Sequence, residues 1–385
     1  MLRSTDRIVT THVGSLPRPL DLLAMVRARG RGELKDQAAF NTLLRKSVAD
    51  IVRKQVDLGV DVVDDGEFSK ASFVNYVWDR LGGLSLAGGE RVNPWLNSRE
   101  SRSFPEFYKI DLAKAASSGQ PLMACTAPMT YRGQGQLQAD LDNLRAAVDA
   151  AGASEAFVPS ISPSNIEDWN VNRHYKNDEE YLFAIADAMH VEYQAIVDAG
   201  FLVQIDDPRL VTYYMVQPEA SIEDCRRWAE LRVEALNHAL RGIAAEKVRY
   251  HTCYGINMGP RINDMELKDI VDIIFKIRAG AFSFEASNPR HEHEYHVFEQ
   301  VNPPDGAVLI PGVVTHSSLV VEHPELVAER IMRFANIVGR ENVIAGTDCG
   351  FATFAGADEI HESIVWAKFD ALRQGAELAS KRLWR

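Results

Sequence analysis

Eight short apolar runs, separated by longer amphipathic stretches, constrain this chain more than any single motif. They fall at residues 60–63, 122–126, 156–159, 201–205, 248–252, 281–285, 307–311 and 343–346. Most are continuous rather than alternating in hydrophobicity, the pattern of parallel strands covered on both faces. The stretches between them have helical spacing. In 178–199, apolar residues recur at Tyr181, Leu182, Ile185, Met189, Tyr193 and Ile196, and Gly200 follows as a stop. Residues 40–58, 221–241, 266–277, 324–338 and 358–378 are further helices. Eight strand–helix units predict an α/β fold, a (β/α)8 TIM barrel forming a single domain over residues 1–385. A doubly wound open sheet is the alternative. No G-x-G-x-x-G follows the early strands, which counts against a dinucleotide-binding version. The first βα connection, 64–122, and the third, 160–178, are long, and loops of that length are commonly functional.

Composition narrows the partners. Lys and Arg number 42 against 54 Asp and Glu, a net charge of −12. An acidic surface argues against nucleic acid or an anionic membrane, while leaving room for a local basic pocket that takes a small anion. No apolar run approaches the ~20 residues of a membrane span, and the N-terminal stretch lacks the apolar core of a signal peptide. Four cysteines, Cys125, Cys225, Cys253 and Cys349, make no disulfide framework. The expected location is cytoplasmic, with thiols reduced and free to bind metal. Cys225 shares a helix face with Trp228, Leu231 and Ala235 and reads as packing. A homo-oligomer is left open.

In a barrel, chemistry sits where strands end and βα loops begin. The strand ends carry Asp64-Asp65-Gly66-Glu67, Cys125-Thr126, Ser160 with Ser162 and Ser164, Asp206-Asp207, His251 with Cys253, Glu285, Pro311-Gly312 followed by His316, and Asp348-Cys349. Alternate residues of a strand share a face, so His251 and Cys253 can grip one ion. Cys349 ends the last strand and Glu285 the strand after His251. Two thiolates, an imidazole and a carboxylate suit Zn²⁺ by softness and coordination number. Ligands scattered along the chain, rather than in tight Cys-x2-Cys pairs, favour a catalytic site. The alternatives are a small buried Cys349 at a turn and a Glu285–Arg290 ion pair. A rival cluster, His291, His293 and His296 with Glu292 and Glu294, reads as a solvated loop or as a set of side chains reaching a substrate carboxylate.

These strand ends, with Thr10-Thr11-His12-Val13-Gly14-Ser15-Leu16-Pro17-Arg18-Pro19 at the N-terminus, resemble the cobalamin-independent methionine synthase family in its C-terminal catalytic barrel. The matching stretches also include Gln204-Ile205-Asp206-Asp207-Pro208, His251-Thr252-Cys253-Tyr254-Gly255, Phe284-Glu285-Ala286-Ser287 and Thr347-Asp348-Cys349-Gly350. The resemblance implies the same four zinc ligands. It further implies that the Val13-Gly14-Ser15 turn, Glu67 and Asp206 hold an amino-acid thiol. The N-terminal barrel of the full-length synthases is missing, so the chain is similar to the short one-barrel members, among them the epoxyalkane:coenzyme M transferases.

The expected reaction is zinc-dependent transfer of a methyl or other alkyl group to a substrate thiol, as in methionine biosynthesis, with the thiolate as nucleophile. Its partners are a small-molecule thiol and an alkyl donor. The alternatives are a lyase that opens an epoxide with the same thiolate and a non-catalytic zinc or thiol-binding protein. His12, His316 and Asp206 are candidates for handling protons. His12 can equally cap a strand end, and Glu67 a helix or the surface. Ser15, Arg18, Glu67, Asp206 and Arg290 are candidates for substrate binding, the two arginines for an anionic tail. Tyr131, Trp169 and Tyr175 can stack a flat donor or pack locally.

Overall fold

Parallel strands of Val, Ile, Leu and Phe close on themselves to make the frame of the molecule. The computed structural model describes residues 1–111, 120–255, 259–356 and 360–385. In chain order the strands are β1 (Val9–Thr10), β2 (Val62–Val63), β3 (Leu81–Glu90), β4 (Pro121–Tyr131), β5 (Glu155–Ile161), β6 (Asn170–Asn172), β7 (Leu202–Asp206), β8 (Val248–Thr252), β9 (Ala281–Phe284), β10 (Val308–Val314) and β11 (Ile344–Thr347). Eight of them form one sheet in the order β1-β11-β10-β9-β8-β7-β5-β2, every pair parallel. A parallel bridge from Thr11 to Val62 joins the two remaining edges. The closed α/β barrel matches the expected fold class, and no open sheet edge is left for the doubly wound alternative.

Membership of the barrel differs from the sequence-based expectation at one strand. The run at 122–126 lies in β4, which pairs with β3 and β6 in a separate three-stranded sheet. Its place in the barrel is taken by β1, whose Ile8-Val9 runs straight into polar Thr10-Thr11-His12 and so does not register as an apolar run. Met123, Ala124 and Cys125 are buried, so β4 is as apolar as a barrel strand although it belongs to the other sheet. The long 64–122 connection therefore follows the second barrel strand. It holds β3, and β4 and helix Gln134–Ala151 follow before β5.

The helical expectations hold for Gln37–Asp57, Asp178–Asp198, Ile222–Ala239 and Pro324–Val338. Asn177 caps the second through the Glu180 amide, and Ser221 and Asp224 form a capping box on the third. Cys225 is fully buried on that helix. The 266–277 helix is broken into a 3₁₀ turn, Leu267–Asp269, and a single turn, Val271–Ile274. The Leu267 amide donates to Glu294. The last helix is Glu362–Leu383, and the start expected at Asp358 lies outside the described residues. Among the described residues no helix is long and apolar enough to cross a membrane.

Two cores follow from this topology. The larger lies between the strands and the surrounding helices. The smaller fills the barrel interior with Val9, Val62, Phe157, Leu202, Val308 and Ile344 among others. Arg249 crosses that interior, its guanidinium 3.8 Å from the Phe157 ring and donating to Thr11 Oγ1 and the His12 carbonyl. A buried cation fastened to the N-terminal strand holds β1 in place beneath the mouth.

Candidate metal and thiol site

At the carboxyl ends of β8 and β11 the barrel gathers a small cluster. A ring nitrogen of His251 and the sulfurs of Cys253 and Cys349 all lie within 4.8 Å of one another, and all three residues are buried. The two sulfurs are 3.5 Å apart. Tetrahedral zinc with bonds of ~2.3 Å would set two sulfurs about 3.8 Å apart. The His251 ring is fixed through Nδ1, 3.3 Å from Ser283 Oγ, and its buried Nε2 has no hydrogen-bond partner among the described residues. A dithiol pair alone would leave that nitrogen unexplained, whereas a cation uses all three atoms. Burial, with Arg249 and His316 nearby, lowers the His251 pKa to about 3, which keeps the imidazole in the neutral, ligating form. The hydrogen bond to Cys253 and burial push the Cys349 thiol well above its usual range. A bound dication reverses that preference, because a coordinating thiol is deprotonated. The donor set therefore fits a soft or borderline divalent metal.

Glu285 is not one of the three gathered residues. Its Oε1 accepts from the Tyr254 amide at 2.7 Å, and its Oε2 accepts from Asn288 Nδ2 at 2.7 Å. Its ionic partner is Arg261 at 3.1 Å, not Arg290. Asp348, between β11 and Cys349, accepts the Ala286 and Ser287 amides and so ties the two rims together.

The N-terminal turn and the end of β2 bring further candidates together. Gly14 has φ 138°, and a Cβ there would meet Pro159 Cγ at 2.7 Å, with Glu67 Oε1 at 3.3 Å. Ser15 accepts the Phe351 amide on its carbonyl, which fixes the turn against the segment after Cys349. Glu67 sits in the left-handed region at φ 58°, unusual for a residue with a Cβ, and its buried Oε2 is unpaired. Asp206 accepts from Gln204 Nε2 at 2.9 Å. Burial and the Glu67 charge raise the Asp206 pKa well above the usual range. Burial raises Glu67 as well, against the opposing pull of Lys70 and Arg18. Two buried carboxylates, one with an oxygen unpaired among the described residues, have the chemistry to accept a cationic group.

The remaining candidates separate. His12 is buried with both ring nitrogens engaged. Nε2 meets Gln55 Oε1 at 2.8 Å and Nδ1 accepts the Gly14 amide at 3.2 Å. Its ring sits edge-on between Phe157 and Phe369, and burial lowers its pKa to about 3. This geometry shapes the Val13-Gly14 turn. Arg18 spends its guanidinium on the carbonyls of Ala352, Glu67 and Lys70. Arg290 is half-buried and acts electrostatically on Glu266. His316 is buried and feels the charges of Asp348 and His251, and the Gly255 backbone lies within its reach. Its loop is fixed where Glu322 accepts the Thr315 amide and pairs with buried Lys368 at 2.9 Å.

The histidine-rich stretch forms a 3₁₀ helix, Glu292–Glu299, rather than a loop. His291 is buried between Asp264 and Glu294 and stacks on Tyr254 at 3.8 Å, while His293 and His296 are exposed. The three aromatic candidates pack locally. Tyr131 donates to Glu192, Trp169 lies under Arg91, and Tyr175 stacks on Tyr181. Sequence reasoning missed Arg261, Lys70 and Lys368. Lys368 had a signal, a lone cation on the apolar face of Val365, Phe369 and Leu372.

Known proteins agree with this architecture. Residues 8–117 and 161–366 match the family described as cobalamin-independent synthase, catalytic domain. A methionine synthase from Thermococcus kodakarensis is 25% identical over 377 residues, covering 98% of this chain and 94% of the relative. One from Saccharolobus islandicus is 26% identical over 382 residues, covering 98% and 96%. The fold matches that of a B12-independent methionine synthase from Shewanella sp. W3-18-1, solved with selenomethionine, with a TM-score of 0.74 at 19% identity over 98% of this chain and 99% of that one. The chain thus belongs to the cobalamin-independent synthase family, whose catalytic domain it matches over most of its length.

Proposed function

We propose that the protein is a methionine-synthase-like methyltransferase that alkylates an amino-acid thiol, with zinc held by His251, Cys253 and Cys349 and with Glu285 at the margin. The single observation carrying this reading is the buried, unpaired His251 Nε2 beside two sulfurs 3.5 Å apart. The names of the relatives from Thermococcus and Saccharolobus support the reaction class. Zinc bound there would keep a substrate sulfur ionised at neutral pH and so nucleophilic. The chain's own residues do the rest. Glu67 and Asp206 receive the ammonium group of the acceptor, and the Gly14-Ser15 turn shapes the wall beside it. Burial of the cluster keeps bulk water from the sulfur. His316, buried beside Asp348 and His251, is the candidate to exchange a proton near the reacting sulfur. His12 acts by fixing the turn. The whole chain serves as one catalytic barrel, working in a reducing, cytoplasmic setting where both cysteines stay thiols.

The carboxylate pair favours this reading over epoxide opening with coenzyme M, because a sulfonate thiol has no ammonium group to place between Glu67 and Asp206. The test is product analysis on metal-analysed protein. Homocysteine with a series of methyl donors is expected to give methionine, and coenzyme M with an epoxide no adduct. Thioether formation only in the second assay reverses the assignment. Metal-free protein with full activity removes it.

A further inference from the structure

Lys70 is a buried ammonium, 4% exposed, that forms no ion pair with a carboxylate among the described residues. Its Nζ donates to the Pro159 carbonyl at 2.5 Å and lies 4.5 Å from the centre of the Tyr76 ring. Lysine is seldom buried to this extent without a carboxylate partner. The charges around it offset part of the cost, since Lys70 opposes the effect of burial at both Glu67 and Asp206.

The backbone beside it shows what the ammonium holds. Glu67 sits at φ 58°, a conformation that persists in a residue with a Cβ only where the surroundings over-determine it. The Lys70 amide closes this turn by donating to the Glu67 carbonyl at 3.1 Å, and Asp65 Oδ1 accepts the Glu67 amide at 2.9 Å. Arg18 clips the carbonyls of Glu67 and Lys70. Of these contacts, the Lys70 ammonium is the one that carries the turn across to β5. Pro159 is a junction there. It is in register with Gln204 on β7, whose Nε2 donates to the Val13 carbonyl and to Asp206 Oδ1. Its ring occupies the space that a Cβ on Gly14 would need. Lys70 thus ties the Glu67 turn to the point where Asp206 and the Val13-Gly14 turn are fixed.

We propose that Lys70 is a positioning residue for the acceptor, pinning the Glu67 turn to β5 so that the Glu67 carboxylate meets the acceptor ammonium together with Asp206. The inference rests on the reading above, in which Glu67 and Asp206 receive that ammonium, and adds the residue that sets their spacing. Lys70 acts through Glu67 and not by touching the acceptor. With the pin removed, the strained turn relaxes and the carboxylate moves off its mark. The site then loses its preference for an ammonium while the rest of the barrel stands.

The experiment measures, by isothermal titration calorimetry on the full chain, the Kd of L-methionine and that of 4-(methylthio)butanoate, the same molecule without its amino group. The ratio of the second Kd to the first is the preference for an ammonium, and it involves neither a titrating thiol nor a methyl donor. Lys70→Met removes the pin, and Lys70→Gln leaves a polar group too short to reach the Pro159 carbonyl. Both are expected to lower the ratio about tenfold, a coupling of ordinary size between neighbouring residues, while the affinity for 4-(methylthio)butanoate changes less than about twofold. Lys70→Arg keeps a charged donor and should stay within about threefold of wild type. In the Glu67→Gln background, Lys70→Met should have no further effect on the ratio. An unchanged ratio in the Met and Gln variants of Lys70 overturns the inference. So do equal losses on both ligands, or an undiminished effect of Lys70→Met in the Glu67→Gln background. If Lys70→Met does not fold, Lys70→Gln decides alone. A wild-type ratio near unity, or a Glu67→Gln variant that keeps the wild-type ratio, removes the acceptor reading itself, a result obtained without any change at Lys70.

Discussion

Cys253 and Cys349 bring their sulfurs to 3.5 Å although 96 residues separate them in the chain. The barrel alone achieves this, since β8 and β11 are separated by two strands in the sheet and each ends at the same rim. Replacing either cysteine by alanine should lower zinc affinity by at least about 100-fold, above the range for outer-shell residues. Zinc content of purified protein should fall from about one per chain to near zero. Retention of stoichiometric zinc in both variants would place the metal elsewhere.

Glu67 and Asp206 should discriminate between acceptors. Glu67→Gln and Asp206→Asn are expected to raise KM for homocysteine by about 10–100-fold, the value of a charge-assisted contact of 1.5–3 kcal/mol. Turnover of a thiol without an ammonium group should change little. Equal losses on both kinds of thiol would mean the pair supports the fold, not the substrate.

His291 makes stability depend on alkaline pH. Burial opposes its charge, but Asp264 and Glu294 outweigh burial and raise its pKa from 6.5 to about 9. A group raised on folding contributes fully below the unfolded pKa and loses that contribution as pH climbs through the folded one. The stabilisation is therefore present below pH 6.5 and gone above 9, an effect of up to about 3 kcal/mol. Melting temperature measured from pH 6 to 10 should fall across this window in wild type, and His291→Gln should flatten the fall.

Arg18 was a candidate for gripping substrate, and the structure gives it three backbone carbonyls instead. Arg18→Met leaves those buried acceptors unpaired, at about 1–3 kcal/mol each before relaxation. Urea denaturation should show a loss of at least 2 kcal/mol or so, with homocysteine KM rising because Glu67 loses its anchor. A stable variant with only a KM defect would restore Arg18 to the substrate.

Gly350 tests the join between the two ends of the chain. A Cβ there would fall 2.0 Å from Ser15 Oγ. Gly350→Ala should displace Ser15 or Cys349, and zinc loss with a normal circular dichroism spectrum would assign the strain to Cys349.

Most of the barrel was legible because parallel strands buried on both faces are continuous runs of apolar residues. The same rule misplaced β4, whose Met123, Ala124 and Cys125 are equally buried under other elements. It also missed β1, where two residues suffice because Arg249 and the pairing with Ile344 and Ala345 hold them. His251, Cys253 and Cys349 were legible since strand ends share a rim. Arg261 was not, because it lies in irregular chain eight residues beyond Cys253, where no period predicts a direction. His12 misled for a related reason. It follows two threonines in sequence, but its neighbours in space are Phe157 and Phe369.

The pairing of β1 with β11 has a consequence for synthesis. One edge of the first strand can meet β2 early, but its other edge stays open until the last strand is made, and Cys349 leaves the ribosome nearly a hundred residues after Cys253. A nascent chain can offer a metal ion two donors from His251 and Cys253, but no enclosure. A metal held by all three residues would therefore be captured only as the barrel closes, and a chain stalled before residue 344 would emerge as an unsealed sheet with open edges and an incomplete donor set.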